Sequence, residues 1–178
     1  MNLTYPKSGL GGYKNELKYL YKSEDRNNLI KKLVKKLNNN SLILVNHLEH
    51  GELLQELLTI SGKETFFIRG SMEVADRIAI IALMEKQDNI ICIAMSSIFS
   101  TGINITNLHY ILFVAGGKSF IRTIQSIGRG LRLHKTKNRL TLFDLYDNME
   151  HSSWHGEERK RFYEKEKIEW KETEIDLR

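Results

Sequence analysis

Five short, nearly unbroken apolar runs punctuate the chain: Leu42 to Val45, Thr65 to Ile68, Ile90 to Met95, Tyr110 to Val114 and Leu140 to Leu145. A strand with one face in water alternates apolar and polar side chains, whereas a strand covered on both faces stays apolar throughout. Runs of this kind predict a parallel sheet flanked by helices, an α/β fold. The stretches between them carry the helical repeat. Leu29, Ile30, Leu33, Val34 and Leu37 make one apolar stripe, with Lys31, Lys32, Lys35 and Lys36 on the other face. Leu53, Leu54, Leu57 and Leu58 make a second, and Val74, Ile78, Ile81 and Met84 a third that Ser71 could cap. All three stripes are expected to face the core. The lysine face could meet nucleic acid, although such a face is ordinarily just solvated.

A fourth stripe, Phe120, Ile124, Ile127 and Leu131, has a different reverse side. Arg122, Gln125, Arg129 and Arg132 fall opposite it, within about a quarter turn of one another at roughly 100° per residue. One helix face would therefore present three guanidinium groups and an amide together, an anion-binding surface or a solvated basic one. Gly128 and Gly130 each weaken a helix by roughly 1 kcal/mol relative to Ala, so the backbone there is expected to turn or to pass close to something.

The two ends read differently from the middle. Residues 1–22 hold Gly9, Gly11, Gly12 and the only proline, Pro6, and read as a poorly specified lead-in or linker. Residues 23–150 carry the strand and helix pattern. Residues 151–178 form a charged helix and tail, dense in charge from Glu157 to Lys167, with Phe162 and Tyr163 turned toward the body. Trp154, Trp170 and Tyr163 are candidates for stacking on bases or for anchoring this tail. Asn38 to Asn40 reads as a turn, and there is no internal repeat.

Composition narrows the classes. The chain has 178 residues, 41% hydrophobic and 28% charged, which is ordinary globular usage. Its 27 Lys and Arg against 22 Asp and Glu give a net charge of +5, which fits a polyanionic partner without requiring one. A single cysteine, Cys92, lies inside an apolar run, which excludes a disulfide framework or a cysteine zinc cluster and reads as a core thiol. No run reaches the roughly 20 apolar residues of a membrane span, and no apolar signal region opens the chain. The expectation is a cytoplasmic protein, in the host cytoplasm if the gene is a phage's.

Thr101-Gly102-Ile103-Asn104 followed by Gln125-x-x-Gly128-Arg129-x-x-Arg132 resembles motifs V and VI of the superfamily 2 helicases, in the second RecA-like lobe of their motor. Ser97 to Ile103, Asn107-Leu108-His109, Lys118-Ser119 and Phe143-Asp144-Leu145 extend the resemblance toward the phage UvsW-type DNA repair helicases, from about Ser41 to Asp147. The first lobe of such a motor supplies a Gly-x-x-x-x-Gly-Lys-[Ser/Thr] phosphate cradle and an acidic box for magnesium. Neither is present. Gly117-Lys118-Ser119 imitates the end of a cradle, but Leu112 stands where its first glycine belongs. The chain therefore reads as half a motor, an excised domain or a split-gene product, whose ATP and Mg2+ are held mainly by a missing first lobe in cis or in trans.

The resemblance implies roles residue by residue. Arg129 and Arg132 act on the transferred phosphoryl group, and Gln125 holds the phosphate region or couples the lobes. Gly102, Asn104 and Gly128 lie against nucleotide, with Asn104 standing where the family often has Asp. Thr101, Ser100 and Lys118 contact the nucleic-acid backbone, and Asn46, His47 and Gly70 are added because they end two earlier strands. The implied partner is single-stranded or branched DNA, the implied whole an ATP-hydrolysing helicase, and this chain alone is expected to be inactive. Two other readings stand beside it. One is a non-catalytic nucleic-acid-binding or regulatory module that keeps the lobe's fold. The other is a metal-dependent nuclease built on Asp144, Asp147, Glu150, His151 and His155, with His47 and His50 as further candidate ligands, although no metal is expected.

Overall fold

Burial on both faces is what the apolar runs demand, and the computed structural model, which describes residues 1–5, 10–59, 62–99, 105–117 and 140–177, supplies it. In chain order the elements are β1 (Asn2–Thr4), α1 (Tyr13–Lys22), α2 (Glu24–Lys35), β2 (Ser41–Val45), α3 (Leu48–Thr59), β3 (Thr65–Ile68), α4 (Val74–Lys86), β4 (Ile91–Met95) and α5 (Ser96–Phe99). They continue with β5 (Tyr110–Phe113), β6 (Thr141–Asp144), β7 (Tyr146–Asp147), α6 (Glu150–Lys165) and β8 (Glu174–Asp176). All five predicted strands form, and they pair in parallel in the order β3-β4-β2-β5-β6. Register places Ile43 of β2 between Ile93 of β4 and Leu112 of β5.

Alternate residues of each strand feed two separate cores. Leu42, Leu44, Cys92, Ala94, Ile111 and Phe113 pack with Ile80 and Met84 of α4 and Phe162 and Tyr163 of α6. Ile43, Val45, Ile91, Ile93, Leu112 and Val114 pack on the other side with Ile30 and Val34 of α2 and Leu54 and Leu58 of α3. Cys92 is fully buried, and burial pushes its thiol pKa up to about 12, as for a core thiol. Asn40 joins these layers at the amino end of the sheet. Its Nδ2 lies 2.7 Å from Met84 O and 2.8 Å from Gln87 O, and its Oδ1 accepts from Ile90 N at 2.9 Å.

Three features depart from the pattern. First, α4 does not bury the stripe assigned to it: Val74 and Ile78 are 64% and 61% exposed, while Ile80 and Met84 are buried. Residues 74–84 are apolar on almost every side, so periodicity could not choose the inner face. Second, Ser71 does not cap α4. The cap position is Glu73, and no side chain bonds there, because the helix starts too far downstream for Ser71 to reach. Third, part of the expected lead-in is regular structure. β1 pairs in parallel with β7 and with β8, and Leu3 is fully buried. α1 is fixed through Glu16, whose carboxylate accepts from His151 N at 3.0 Å and Ser152 N at 2.6 Å. That carboxylate satisfies two orphan donors of the first turn of α6, a charge-assisted cap supplied from a distant helix. Among the described residues no helix is long and apolar enough to cross a membrane.

Candidate functional site

The carboxyl ends of parallel strands are where an open α/β sheet ordinarily meets its ligand, and here three of them converge on Asn46. Asn46 follows β2, and its Nδ2 lies 3.2 Å from Gly116 O and 3.4 Å from Ala115 O, beyond the end of β5. On the other side the Ser96 hydroxyl, just past β4, donates between Asn46 Oδ1 and Val45 O, the latter at 3.0 Å. One amide thus ties the ends of three adjacent strands. The chain leaves β5 through Gly116 and Gly117, with φ of 62° and 86°. Such angles suit glycine, and at Gly117 a Cβ would also come within 3.1 Å of the Tyr13 hydroxyl.

His47 adjoins Asn46 and stacks on Tyr21 of α1, ring centroids 5.1 Å apart. The same tyrosine lies over His50 at 6.0 Å and donates to Glu49 Oε2 at 2.9 Å. His50 is buried. Asn27 Nδ2 donates to Tyr21 O, so Asn27 Oδ1 faces His50, and the imidazole donates to it through Nε2 at 3.1 Å. Burial, with the Arg26 and His47 charges adding to it, holds the His50 pKa well below the ordinary imidazole range, so the ring is neutral near pH 7. Between α1 and the strand ends lies an open pocket of ≈ 260 Å³, walled by Leu17, Tyr21, Arg26, Asn46, His47 and Gly116 among others.

Gly70 stands apart from this group. β3 lies two places from β2 in the sheet, a separation of roughly 10 Å at the usual strand spacing. Gly70 is exposed, and its carbonyl accepts from Arg77 Nη2 at 3.0 Å. Ser100, Thr101, Gly102, Asn104, Lys118, Gln125, Gly128, Arg129 and Arg132 lie outside the described residues, as does the helix face expected around Arg122. The described chain nevertheless enters both of their segments from this edge, after α5 and after Gly117.

Two buried arginines, absent from the expected site, close its far side. Arg26 of α2 forks onto Asp147, with Nε 2.9 Å from Oδ1 and Nη2 2.9 Å from Oδ2, and Nη2 also reaches Val114 O at 3.0 Å. Tyr5 donates to Asp147 Oδ1 at 2.6 Å. Arg159 of α6 donates from Nε to Asp144 Oδ2 at 2.8 Å, from Nη1 to Gly117 O at 3.3 Å and from Nη2 to Leu145 O at 3.3 Å. Tyr163 donates to the same Asp144 oxygen at 2.9 Å, and the guanidinium lies 5.2 Å from the Phe113 ring centre. Burial alone would lower both arginine pKa values; the paired aspartates outweigh it and raise them. Burial, then the neighbouring carboxylate, raises those of Tyr5 and Tyr163.

These contacts remove the nuclease reading. Asp144 and Asp147 are engaged by arginines, and His151 and His155 pack edge-on to Tyr13 at 6.0 and 5.0 Å. Among the described residues no three His, Cys, Asp or Glu side chains are grouped to share a metal. The arginines did leave a trace in the sequence. Arg26 precedes Ile30 and Val34 on one helical row, and Arg159 precedes Phe162 and Tyr163 by three and four residues, the spacing of a shared face.

The family described as the helicase conserved C-terminal domain matches residues 25–134. The chain belongs to that family. In sequence this helicase C-terminal domain is 33% identical over 139 residues to the ATP-dependent DNA helicase uvsW of Enterobacteria phage T4, an alignment covering 76% of this chain and 28% of that protein. The crystal structure of T4 UvsW superposes with a TM-score of 0.82 and 28% identity, over 99% of this chain and 41% of that one. The RNA helicase Prp28 from Chaetomium thermophilum, bound to ADP, superposes with a TM-score of 0.67 at 13% identity, over 98% of this chain and 38% of that one, a likeness of fold. The five-stranded parallel sheet is that of a helicase RecA-like C-terminal lobe. The helicase C-terminal domain described here thus spans well under half of the T4 helicase it matches.

Proposed function

We propose that the chain works as the second motor lobe of an ATP-dependent DNA helicase or translocase of the repair, branch-migration or fork-remodelling type. The observation that carries this reading is similarity to a protein named as an ATP-dependent DNA helicase across a region that holds both motif-bearing segments. The opening of those segments on one sheet edge supports it. Arg132, with Arg129, neutralises charge that grows on the transferred phosphoryl group, a contribution worth roughly 10³–10⁵ in rate when supplied as an arginine finger. Gln125 couples the lobes, and Gly102, Asn104 and Gly128 line the nucleotide side. Thr101, Ser100, Lys118, Asn46, His47 and Gly70 follow the DNA backbone, where contacts position without reading sequence.

The acidic residues at the strand ends do not fit magnesium. Asp144 is held by Arg159 and Tyr163, and Asp147 by Arg26 and Tyr5. ATP and its metal are therefore assigned to a first lobe, joined in cis or met in trans. Joining the chain to a P-loop-bearing first lobe of the same family tests the reading. DNA-stimulated ATP hydrolysis is expected from the two-lobe protein and from neither piece alone. Hydrolysis by the isolated chain, lost on Arg132→Ala, contradicts it; DNA binding without hydrolysis in the two-lobe protein favours the binding-module alternative.

A further inference from the structure

Where the β5–β6 ladder stops, two arginines take over. The last backbone bond between the strands runs from Leu145 N to Phe113 O at 3.1 Å. Beyond it the chain diverges, and the carbonyls of Val114, Gly117 and Leu145 need other donors. Arg26 serves Val114 O from α2, and Arg159 serves Gly117 O and Leu145 O from α6. Arg159 also holds Asp144, the last residue of β6. Gly117 is the last described residue before 118–139, and Asp144 and Leu145 stand just after that stretch returns to the sheet. One guanidinium, 1% exposed, thus grips both roots of the segment that carries Gln125, Arg129 and Arg132.

We propose that Arg159 is a positioning residue for the phosphate-directed arginines: it fixes the separation of the two roots and so the aim of the segment between them. The inference rests on the motor reading given above. Its physical basis is the shape of the side chain. A planar fork meets a carboxylate and two carbonyls at once, whereas an ammonium is a point charge without that geometry. A misplacement of about 1 Å far from the reacting atoms can cost on the order of a hundredfold in rate, so a loosened root is felt in turnover even when the fold survives.

The test compares Arg159→Lys, Arg159→Met and Tyr163→Phe in the two-lobe protein, each assayed well below its own unfolding midpoint. Arg159→Lys keeps a cation beside Asp144 and carries the test if Arg159→Met does not fold. Expected is a fall in kcat of about tenfold or more, with KM for ATP and affinity for DNA within about twofold of the unsubstituted protein. Tyr163→Phe removes a bond to the same carboxylate, keeps the carbonyl grip and is expected to hold kcat. Arg159→Lys with unchanged kcat, beside an inactive Arg132→Ala, overturns the inference while the motor reading stands; so does an equal fall in Tyr163→Phe. Absence of hydrolysis in the unsubstituted two-lobe protein overturns both.

Discussion

Arg26 Nε and Nη2 each lie 2.9 Å from a different oxygen of Asp147, and both side chains are 1% exposed. The pair joins α2 to β7 across the end of β5, with Tyr5 and Val114 O completing the network. Removing one member of such a buried pair leaves the other charged and dry, which costs about 3–5 kcal/mol. Arg26→Met is expected to lower the free energy of denaturant-induced unfolding by that amount. The double variant Arg26→Met/Asp147→Leu is expected to recover much of it, because no charge is then stranded. A single variant within about 1 kcal/mol of the parent would show that the pair behaves like a surface one.

Two glycines distinguish a fixed neighbour from a movable one. A Cβ at Gly51 would come 2.2 Å from Phe67 Cζ, and one at Gly156 would come 2.1 Å from Tyr146 Cδ2. Both glycines are helical, so alanine brings roughly 1 kcal/mol of helix propensity against the clash. Phe67 is 4% exposed and packed in the core, whereas Tyr146 is only partly buried and can swing outward. Gly51→Ala is therefore expected to destabilise by about 1–3 kcal/mol, the usual cost of overpacking, and Gly156→Ala by less. Urea unfolding of the two variants side by side checks the order.

His50 gives the fold an acid sensitivity of known sign. It is packed among Asn27 and Arg26 of α2, Tyr21 of α1 and neighbouring His47, and its folded pKa lies well below 6.5. Between 6.5 and that lower value the unfolded chain binds a proton that the folded chain refuses. Stability is therefore fully present above the unfolded value and is lost as pH falls below it, at up to about 1.4 kcal/mol per pH unit. His50→Gln, which keeps a donor toward Asn27, is expected to flatten the dependence between about pH 7 and about pH 5.5. An unchanged slope in that variant would mean that His50 is not the group responsible.

Legibility in the sequence followed burial. The five sheet strands were readable because Leu42 to Val45 and its counterparts are apolar on both faces, a pattern that a half-wet strand does not produce. β1 and β8 were not, since Asn2–Thr4 and Glu174–Asp176 are three residues each and mostly polar. Their pairing depends on partners more than a hundred residues away. Arg26 and Arg159 sit in charge-rich stretches and read as solvated until tertiary contacts turn them inward. At the site, Asn46 and His47 were found from strand ends alone. The tyrosine above His47 was hidden because α1 comes from a segment whose glycines suggested no regular structure. Residues 100–104 and 118–139 carry the strongest sequence motifs and lie outside the described structure, so their roles stand on the motifs.

The central claim is that Arg132 faces nucleotide rather than DNA. In the two-lobe protein, hydrolysis rate and DNA affinity are to be measured on the same Arg132→Ala preparation. DNA-stimulated turnover is expected to fall by roughly a hundredfold or more, as for a lost arginine finger, with DNA affinity and its salt dependence unchanged. Arg132→Lys is not expected to restore the rate. Normal hydrolysis combined with weakened, less salt-dependent DNA binding would put the guanidinium on a DNA phosphate and contradict the account.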